Sequence, residues 1–262
     1  MSPYGRFSYL NAPLPLAIAH RGGAGDWPEN TMPAFESAVD IGFQYVETDV
    51  HATRDGTLVA FHDESLDRVT DRAGLIRDLA WSEVAAARVD GREEIPLLED
   101  LLGHFPTVRV NIDAKHDSAV GPLVEVLRRT NSVDRVCVGA FSDRRLRRIR
   151  KALGPRLCTS MGPLGVVKLK AASFGVPFES HPPCAQVPIR HGRFTVVDER
   201  LVRGAHRLGV QVHVWTIDDP AEMHRLLDLG VDGIMTDLPR VLRGVLEERG
   251  EWSGPTDGPP SV

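Results

Sequence analysis

The sequence has few cysteines and no stretch that would cross a membrane. Its three cysteines, Cys137, Cys158 and Cys184, are odd in number and far apart, and none belongs to a C-x-x-C pair. Stabilising disulfides are therefore not expected, and we interpret all three as reduced, buried thiols of a cytoplasmic protein. Runs of about 18 apolar residues, which a membrane-spanning helix needs, do not occur. The N-terminus lacks the apolar segment of a signal peptide before its first proline.

The sequence also lacks an excess of positive charge. Its formal net charge is -5, which argues against nucleic-acid binding as the main activity. Apolar residues make up 42% and charged residues 26%, as is usual for soluble globular proteins. We expect a small-molecule substrate, no nucleic-acid partner and no integral membrane association, and the oligomeric state stays open. Residues 1–249 are predicted to form one domain, and the Gly- and Pro-rich residues 250–262 are predicted to be disordered.

Short β-type runs alternate with helical patterns, which predicts a parallel sheet. Only seven residues separate the second run from the third, too few for a parallel crossover, and they include the hairpin signal Asp55-Gly56. The third run is therefore antiparallel, and eight parallel strands remain. We predict a TIM (β/α)8 barrel with a small hairpin-containing insertion, about residues 51–96, after the second strand. The nine runs are Leu16–Ala19, Tyr45–Val50, Leu58–His62, Val108–Ile112, Arg135–Ala140, Leu157–Ser160, Ala185–Pro188, Gln211–Thr216 and Gly233–Thr236.

Two carboxylates end the second predicted strand. Glu47 and Asp49 are two positions apart, so they project from the same face of the strand. Barrel enzymes place their catalytic groups at this end of the strands. Two buried carboxylates repel each other unless a cation or a proton lies between them. The alternative is a solvated acidic face, which the apolar neighbours Tyr45, Val46 and Val50 make less attractive.

The hairpin predicts a histidine beside this pair. If Asp55 and Gly56 are the two loop residues, Asp49 lies opposite His62, with both side chains on one face of the ribbon. A slip of one residue would send His62 to the other face, so this register is testable. His20 follows the first strand and belongs to the same rim. A histidine can act as general acid or base near neutral pH.

Further charged residues follow the first and fourth strands. Arg21 offers a planar fork that suits phosphate oxygens, and Asp113 and Lys115 share one face at the end of the fourth strand. Three carboxylates and no thiolate favour a hard ion, Mg²⁺ or Ca²⁺. Trp215 ends a later strand and is either a substrate-pocket residue or part of the barrel core.

The segment from Ala19 to Gly74 closely resembles the signature of the glycerophosphodiester phosphodiesterase family. It carries the motifs HRG, PENT, E-x-D and HD, and the chain later adds IPLLEDLL, NIDAK, VHVWTIDD and DGI-x-TD-x-P in the family's order. The resemblance spans nearly the whole predicted barrel. It implies a TIM barrel with a small insertion after the second strand, as the strand count also predicts.

The resemblance also implies roles for individual residues. Glu47, Asp49 and Asp113 would bind one divalent metal ion, Mg²⁺ or Ca²⁺. His20 and His62 would be the general acid and base, in an order that is not specified. Arg21 and Lys115 would hold the phosphate. Glu29, in the PENT segment, matches a family position near the site, and a carboxylate at a helix N-terminus is an equally good account of it. The family often has Glu at the position of Asp113, so the shorter side chain is expected to affect metal identity and affinity.

Two other functions are compatible with the same motifs. A lysophospholipase D or sphingomyelinase D type of enzyme has a similar barrel and histidine pair. It would need an exposed apolar rim for an acyl chain, whereas the insertion at Ser65–Pro96 is polar, which favours a soluble substrate. A non-catalytic binding protein on the same scaffold would show no turnover for EDTA to abolish. The sequence does not specify the alcohol headgroup.

Overall fold

The computed structural model describes residues 6–178 and 182–255. The strands within these residues are β1 (Leu16–Ala19), β2 (Tyr45–Ala52), β3 (Leu58–Ala60), β4 (Arg109–Ala114), β5 (Val136–Gly139), β6 (Cys158–Thr159), β7 (Cys184–Pro188), β8 (Arg190–His191), β9 (Phe194–Thr195), β10 (Gln211–Trp215) and β11 (Gly233–Thr236). The helices are α1 (Met32–Asp40), α2 (Trp81–Val84), α3 (Leu98–His104), α4 (Val120–Arg129), α5 (Asp143–Leu153), α6 (Pro163–Ala172), α7 (Glu199–Arg207), α8 (Pro220–Asp228) and α9 (Pro239–Glu248).

Eight of the described strands are parallel and form a barrel. They are hydrogen-bonded in the order β6, β5, β4, β2, β1, β11, β10 and β7. A parallel bridge between Ser160 and Cys184 closes the ring, where the Met161 N–H donates to the Cys184 carbonyl at 2.9 Å. Helices follow most strands and cover the outside. The predicted TIM barrel is therefore confirmed.

The main hydrophobic core lies between the barrel and its helices. Strand residues such as Val46, Val110 and Val138 are fully buried and pack in one cluster with helix residues such as Leu101 and Leu123. Because side chains alternate along a strand, the residues that neighbour each of these valines in the sequence point into the barrel interior. That alternation places the side chains of Glu47 and Asp49 together in the barrel interior.

Capping side chains set where several helices begin. The carboxylate of Asp198 accepts from the Leu201 N–H at the start of α7, and that of Asp219 accepts from the Glu222 N–H at the start of α8. These bonds satisfy backbone N–H groups that have no partner within the helix. Pro220 at the first turn of α8 is compatible with the missing donor there.

The hairpin confirms the antiparallel pairing and corrects its register. Val59 of β3 pairs with His51, so every pair is shifted by one residue from the prediction. The loop has three residues, because the Thr53 N–H bonds the Thr57 carbonyl and Gly56 adopts a left-handed φ of 84°. The predicted opposition of Asp49 and His62 is wrong: the Asp49 carbonyl accepts from the Phe61 N–H at 2.9 Å.

The insertion after β2 has a small core of its own. Buried residues from β3 and the following loop pack in a cluster separate from the main core, among them Val59, Phe61, Leu66 and Ile76. This packing holds the segment after β3 over one side of the barrel rim.

Both ends of the described chain pack against the barrel. Near the N-terminus, Tyr9 is fully buried, and the Tyr45 hydroxyl donates to its carbonyl at 2.7 Å. At the other end, Trp252 contacts Phe43 with ring centroids 5.4 Å apart. Trp252 is half-buried by this contact. The disorder predicted for residues 250–262 stays a prediction. Residues 256–262 lie outside the described residues. In the described ranges, every helix is too short or too polar to cross a bilayer.

Gly22 is required by the turn that follows β1. Its φ is +82°, and a Cβ at this position would lie 2.9 Å from the Phe35 backbone nitrogen. Gly22→Ala should therefore lower the free energy of unfolding by about 1–3 kcal/mol, which urea denaturation would measure. Gly244→Ala in α9 is the control, because that Cβ would meet open space. It should stabilise the protein by about 0.5–1 kcal/mol. Equal effects of the two substitutions would contradict the account.

Candidate active site

Most of the predicted site residues lie together at the carboxyl end of the barrel. β1, β2 and β4 are neighbours in the sheet, and Asp49 is in register with Asp113. His20 and Arg21 follow β1 directly, and Lys115 follows β4 directly. The strand order therefore brings the ends of three strands to one rim, where charged side chains from all three contact one another.

Glu47 and Asp49 are buried at the centre of this rim. Glu47 accepts the Arg21 backbone N–H at 3.0 Å, and Asp49 lies 3.4 Å from the Arg21 Nε. Burial and the negative charge of Asp49 raise the pKa of Glu47 to about 7. Burial also opposes ionisation of Asp49, but the charges of Lys115, His62 and Arg21 outweigh it and lower the pKa of Asp49. Asp49 is therefore firmly ionised, whereas the positive charges near Glu47 are too weak to offset its burial and the charge of Asp49.

Lys115 connects Asp49 to Asp113. Its ammonium lies 2.7 Å from Asp49 Oδ1 and 2.9 Å from Asp113 Oδ2. Burial lowers the pKa of Lys115, but the charges of Asp113 and Asp49 raise it by more, so the lysine stays charged. The other oxygen of Asp113 is buried and has no hydrogen-bond partner in the described part of the chain. Asp113 therefore has one oxygen still available as a ligand.

A second carboxylate orients His20. The His20 Nδ1 lies 2.8 Å from Asp237 Oδ1, so the ring donates its Nδ1 proton to Asp237. Its Nε2 then faces the acidic pair, 3.8 Å from Glu47 Oε2. Burial lowers the pKa of His20, but Glu47 and Asp237 raise it by more, and the net shift is upward. In the sequence, Asp237 lies within the DGI-x-TD-x-P motif, which by itself gives it no role.

In the metal-free protein, His20 should titrate above the ordinary histidine pKa of about 6.5. A raised pKa in the folded state stabilises the protein below the unfolded-state pKa, and this stability is lost as the pH rises through the folded-state pKa. Asp237→Asn should lower the His20 pKa, measured by NMR of EDTA-treated protein, and should destabilise the fold more at acidic than at alkaline pH. Asp228→Asn, which removes an exposed carboxylate, should leave the titration unchanged. A His20 pKa that did not respond to Asp237→Asn would contradict the pairing.

His62 has a similar carboxylate partner. It lies two residues beyond the end of β3, so the strand's alternation no longer fixes its direction. Its Nδ1 lies 2.5 Å from Asp63 Oδ1, and its charge is near enough to Asp49 to lower the pKa of that carboxyl. Hydrogen bonds from Arg68 and from His62 lower the pKa of Asp63 to about 2. Asp63 therefore remains ionised and holds the His62 ring by its Nδ1 proton.

A chain of ion pairs joins the loop after β1 to the segment after β3. Arg68 bonds Asp63 through Nε at 2.5 Å and Glu29 through Nη2 at 2.6 Å. Glu29 in turn accepts from Arg21 Nη1 at 3.1 Å. This arrangement gives Glu29 a definite place: it links Arg21 of the first loop to the segment that carries His62. Nothing in the sequence singled out Arg68.

Asn30 completes the support of Asp49. Its side-chain amide donates to Asp49 Oδ2 at 3.4 Å, and its oxygen accepts from the Thr48 hydroxyl at 2.7 Å. Its own backbone is left-handed, with φ of 55°. Asn is one of the few side chains that adopt this conformation readily, which is a physical reason for Asn within the PENT motif.

Trp215 borders an open cavity beside the rim. The cavity is about 600 Å³ and is lined by β10, β7 and the β8–β9 hairpin. The Trp215 ring also meets Phe141 edge to face, with centroids 6.0 Å apart. Phe141 and Phe194 are 69% and 78% exposed, so this side of the rim presents apolar surface.

The carboxylate groups fit a hard divalent ion in their chemistry. Burial and the charge of Asp49 keep the pKa of Glu47 raised although His20 and Lys115 lie nearby, and Asp113 has a buried oxygen without a partner in the described chain. Oxygen ligands of this kind suit Mg²⁺ or Ca²⁺. In the described residues, however, the three carboxylates do not form a tight cluster of ligand atoms. Lys115 lies between Asp49 and Asp113, so the ligand set stays a prediction.

Comparisons with known proteins identify the family of the chain. Residues 20–241 match the glycerophosphoryl diester phosphodiesterase family. The chain is 43% identical over 246 residues to the probable glycerophosphodiester phosphodiesterase 2 of Mycobacterium tuberculosis, covering 91% of this chain and 93% of that protein. It is 32% identical over 270 residues to the human lysophospholipase D GDPD1, covering 87% and 85% of the two chains.

Solved structures share the barrel. A phosphodiesterase of Oleispira antarctica, solved in complex with the product sn-glycerol-3-phosphate, superposes with a TM-score of 0.74 at 25% identity, covering 89% of this chain and 97% of that one. A glycerophosphodiester phosphodiesterase of Agrobacterium tumefaciens gives a TM-score of 0.73 at 23% identity, with 88% and 99% covered. The chain therefore belongs to the glycerophosphoryl diester phosphodiesterase family of enzymes.

Proposed function

We propose that the chain hydrolyses glycerophosphodiesters to glycerol phosphate and an alcohol, with one bound Mg²⁺ or Ca²⁺ ion. The observation that carries this proposal is the pair of histidines, His20 and His62, each held at Nδ1 by a carboxylate beside a buried acidic pair. Because Nδ1–H is committed to Asp237 in one ring and to Asp63 in the other, Nε2 is the atom of each ring that exchanges protons with substrate. Such an arrangement supplies one general base and one general acid.

The charged residues of the rim have complementary tasks. Glu47, Asp49 and Asp113 would hold the metal, which when bound supplies positive charge to a phosphate oxygen and helps to orient the attacking oxygen. Arg21 and Lys115 bring positive charge to the remaining phosphate oxygens. Glu29 and Arg68 keep Arg21 and Asp63 in position through the ion-pair chain. The cytoplasmic location predicted above remains part of this proposal, and the free cysteines support it.

A second candidate is hydrolysis of lysophospholipids. The exposed Phe141, which contacts Trp215, and the exposed Phe194 of the β8–β9 hairpin provide an apolar surface for an acyl chain outside the insertion. The similarity to a lysophospholipase D supports the same candidate. Both substrates place a phosphodiester at the same catalytic groups and differ in the group bound on the apolar side.

A substrate panel tests the two candidates. Purified protein would be assayed with glycerophosphocholine, glycerophosphoethanolamine, glycerophosphoinositol and a lysophospholipid, each with Mg²⁺, Ca²⁺ or Mn²⁺ and with EDTA. We expect metal-dependent release of glycerol phosphate from at least one soluble diester. Turnover of the lysophospholipid alone, reduced by Phe141→Ser, would favour the second candidate. Turnover that EDTA leaves unchanged would overturn the metal assignment.

A further inference from the structure

The three cysteines converge at the end of the barrel opposite the catalytic rim. Each lies at or near the amino end of its strand, on the adjacent strands β5, β6 and β7. Cys137 pairs with Cys158 in register, and Cys184 lies beside Ser160 across the closing bridge. All three side chains are buried, and their sulfur atoms lie within 4.8 Å of one another. Residues far apart in sequence thus form one cluster inside the barrel.

The spacing of the sulfur atoms suits a shared ion. Cys137 Sγ and Cys184 Sγ are 3.8 Å apart, far longer than a disulfide bond of about 2.0 Å. Zn–S bonds of about 2.3 Å in a tetrahedral site separate the sulfurs by about 3.8 Å. Within the described ranges, this trio is the group of His, Cys, Asp and Glu side chains that meets the distances of a metal site.

An independent feature of the cluster is the hydroxyl of Tyr9. Tyr9 is fully buried, and its hydroxyl has no hydrogen-bond partner among the described residues. Tyr9 packs in the same buried cluster as Cys137, Cys158 and Cys184. A buried hydroxyl without a partner is uncommon in native structures and calls for a missing ligand or neighbour.

We propose that Cys137, Cys158 and Cys184 form a second metal site, for a thiophilic ion such as Zn²⁺ or Cu⁺, with the Tyr9 oxygen as the additional donor. Thiolate ligands select these ions over the hard ions that suit the catalytic carboxylates. Binding replaces the thiol protons, which pass to solvent, by metal–sulfur bonds. The site ties three barrel strands to the N-terminal segment, and its role is therefore structural.

Metal content and a thiolate signature together test the site. The full chain would be expressed with added zinc or copper and purified under reducing conditions, and its metal content measured by mass spectrometry. A separate sample would be refolded with Cd²⁺, which gives a sulfur-to-cadmium absorption band in the ultraviolet. We expect about one thiolate-bound ion per chain. Asp113→Asn, which alters the catalytic carboxylates, should leave this band intact, so the two sites are distinguished.

Matched variants assign the ligands. Cys158→Ser should abolish the cadmium–thiolate band or weaken metal binding. Thr159→Ser, at an equally buried position of the same strand, should keep the band and the metal affinity. Tyr9→Phe removes only the hydroxyl and should weaken binding roughly 10- to 100-fold, the usual range for a supporting polar group at a metal site. This variant keeps the test valid if Cys158→Ser does not fold.

Three outcomes would overturn the proposal. One is the absence of any thiolate band in wild-type protein refolded with Cd²⁺, while three reduced thiols are counted after denaturation. Another is a disulfide between Cys137 and Cys184 in protein purified without reductant. The third is a band that Tyr9→Phe and Cys158→Ser both leave at full strength.

Discussion

His20→Ala and His62→Ala should each lower kcat by about 10²–10⁴-fold, the usual value of general acid–base assistance. Attack on phosphorus needs a base on one side, and departure of an alkoxide needs an acid on the other. Each ring is held through Nδ1 by a carboxylate, so each has one nitrogen, Nε2, with which to move a proton. Steady-state kinetics on a glycerophosphodiester would measure both losses.

The leaving group separates the two roles. A p-nitrophenyl phosphodiester releases an alcohol of low pKa, which departs without a proton from the enzyme. This substrate should therefore restore most of the rate to the variant that lacks the acid and little to the variant that lacks the base. His104→Ala is the matched control, because His104 is exposed on α3 and pairs with Glu36 away from the rim. Near wild-type rates for both active-site variants would refute the acid–base assignment.

Asp49→Asn should lower kcat/KM by about 10³-fold or more, because a metal contributes several kcal/mol of transition-state stabilisation and about 1.4 kcal/mol corresponds to a factor of ten. Asp49 also holds Lys115 and Arg21, so the substitution releases both cations from their partner. Glu47→Gln should have a similar effect, and it removes the charge that raises the His20 pKa. The metal concentration for half-maximal activity should rise in both variants.

Asp232→Asn controls for the loss of a buried carboxylate. Asp232 is buried near the opposite end of the barrel, where it accepts from the Val212 N–H and contacts His206, each at 2.8 Å. This variant should lose stability and keep the kcat of its folded fraction. If Asp49→Asn and Asp232→Asn reduced activity equally, the effect would be one of folding, and the metal-ligand role of Asp49 would be wrong.

The strand pattern predicted the barrel because buried parallel strands are short, near-continuous apolar runs, and here they alternate with helical patterns. All nine predicted strands are present, some with shifted ends, and the hairpin is antiparallel. The register failed because Asp-Gly marks a turn without fixing its length. Here Arg54 joins Asp55 and Gly56 in a three-residue loop, so each β3 residue pairs with a β2 residue one position away from the predicted partner.

The apolar helix α6 gave little periodic signal. Leu164 and Val167 are exposed on it, so its apolar residues do not lie on one face. The β8–β9 hairpin is likewise too short, at two residues a strand, to give a pattern.

The chemistry-bearing residues were predicted better than the residues that position them. Strand spacing alone grouped Glu47 with Asp49, and Asp113 with Lys115. The contact of His20 with Asp237 joins residues 217 positions apart, and no local spacing predicts it. Local spacing does not predict the contacts of Arg68 either, because it bridges Asp63 and Glu29, which lie in separate loops. The convergence of three cysteines likewise required the strand order of the closed barrel.

Phosphorus NMR of one reaction tests the central claim most directly. Purified protein would be mixed with glycerophosphocholine and Mg²⁺ or Ca²⁺, and the signals of the diester and its products followed with and without EDTA. We predict that glycerol phosphate replaces the diester, directly or through a cyclic phosphate, and that EDTA stops the reaction until metal is restored. A diester that stays intact with every headgroup and metal of the panel, or one that is cleaved equally well in EDTA, would contradict the account.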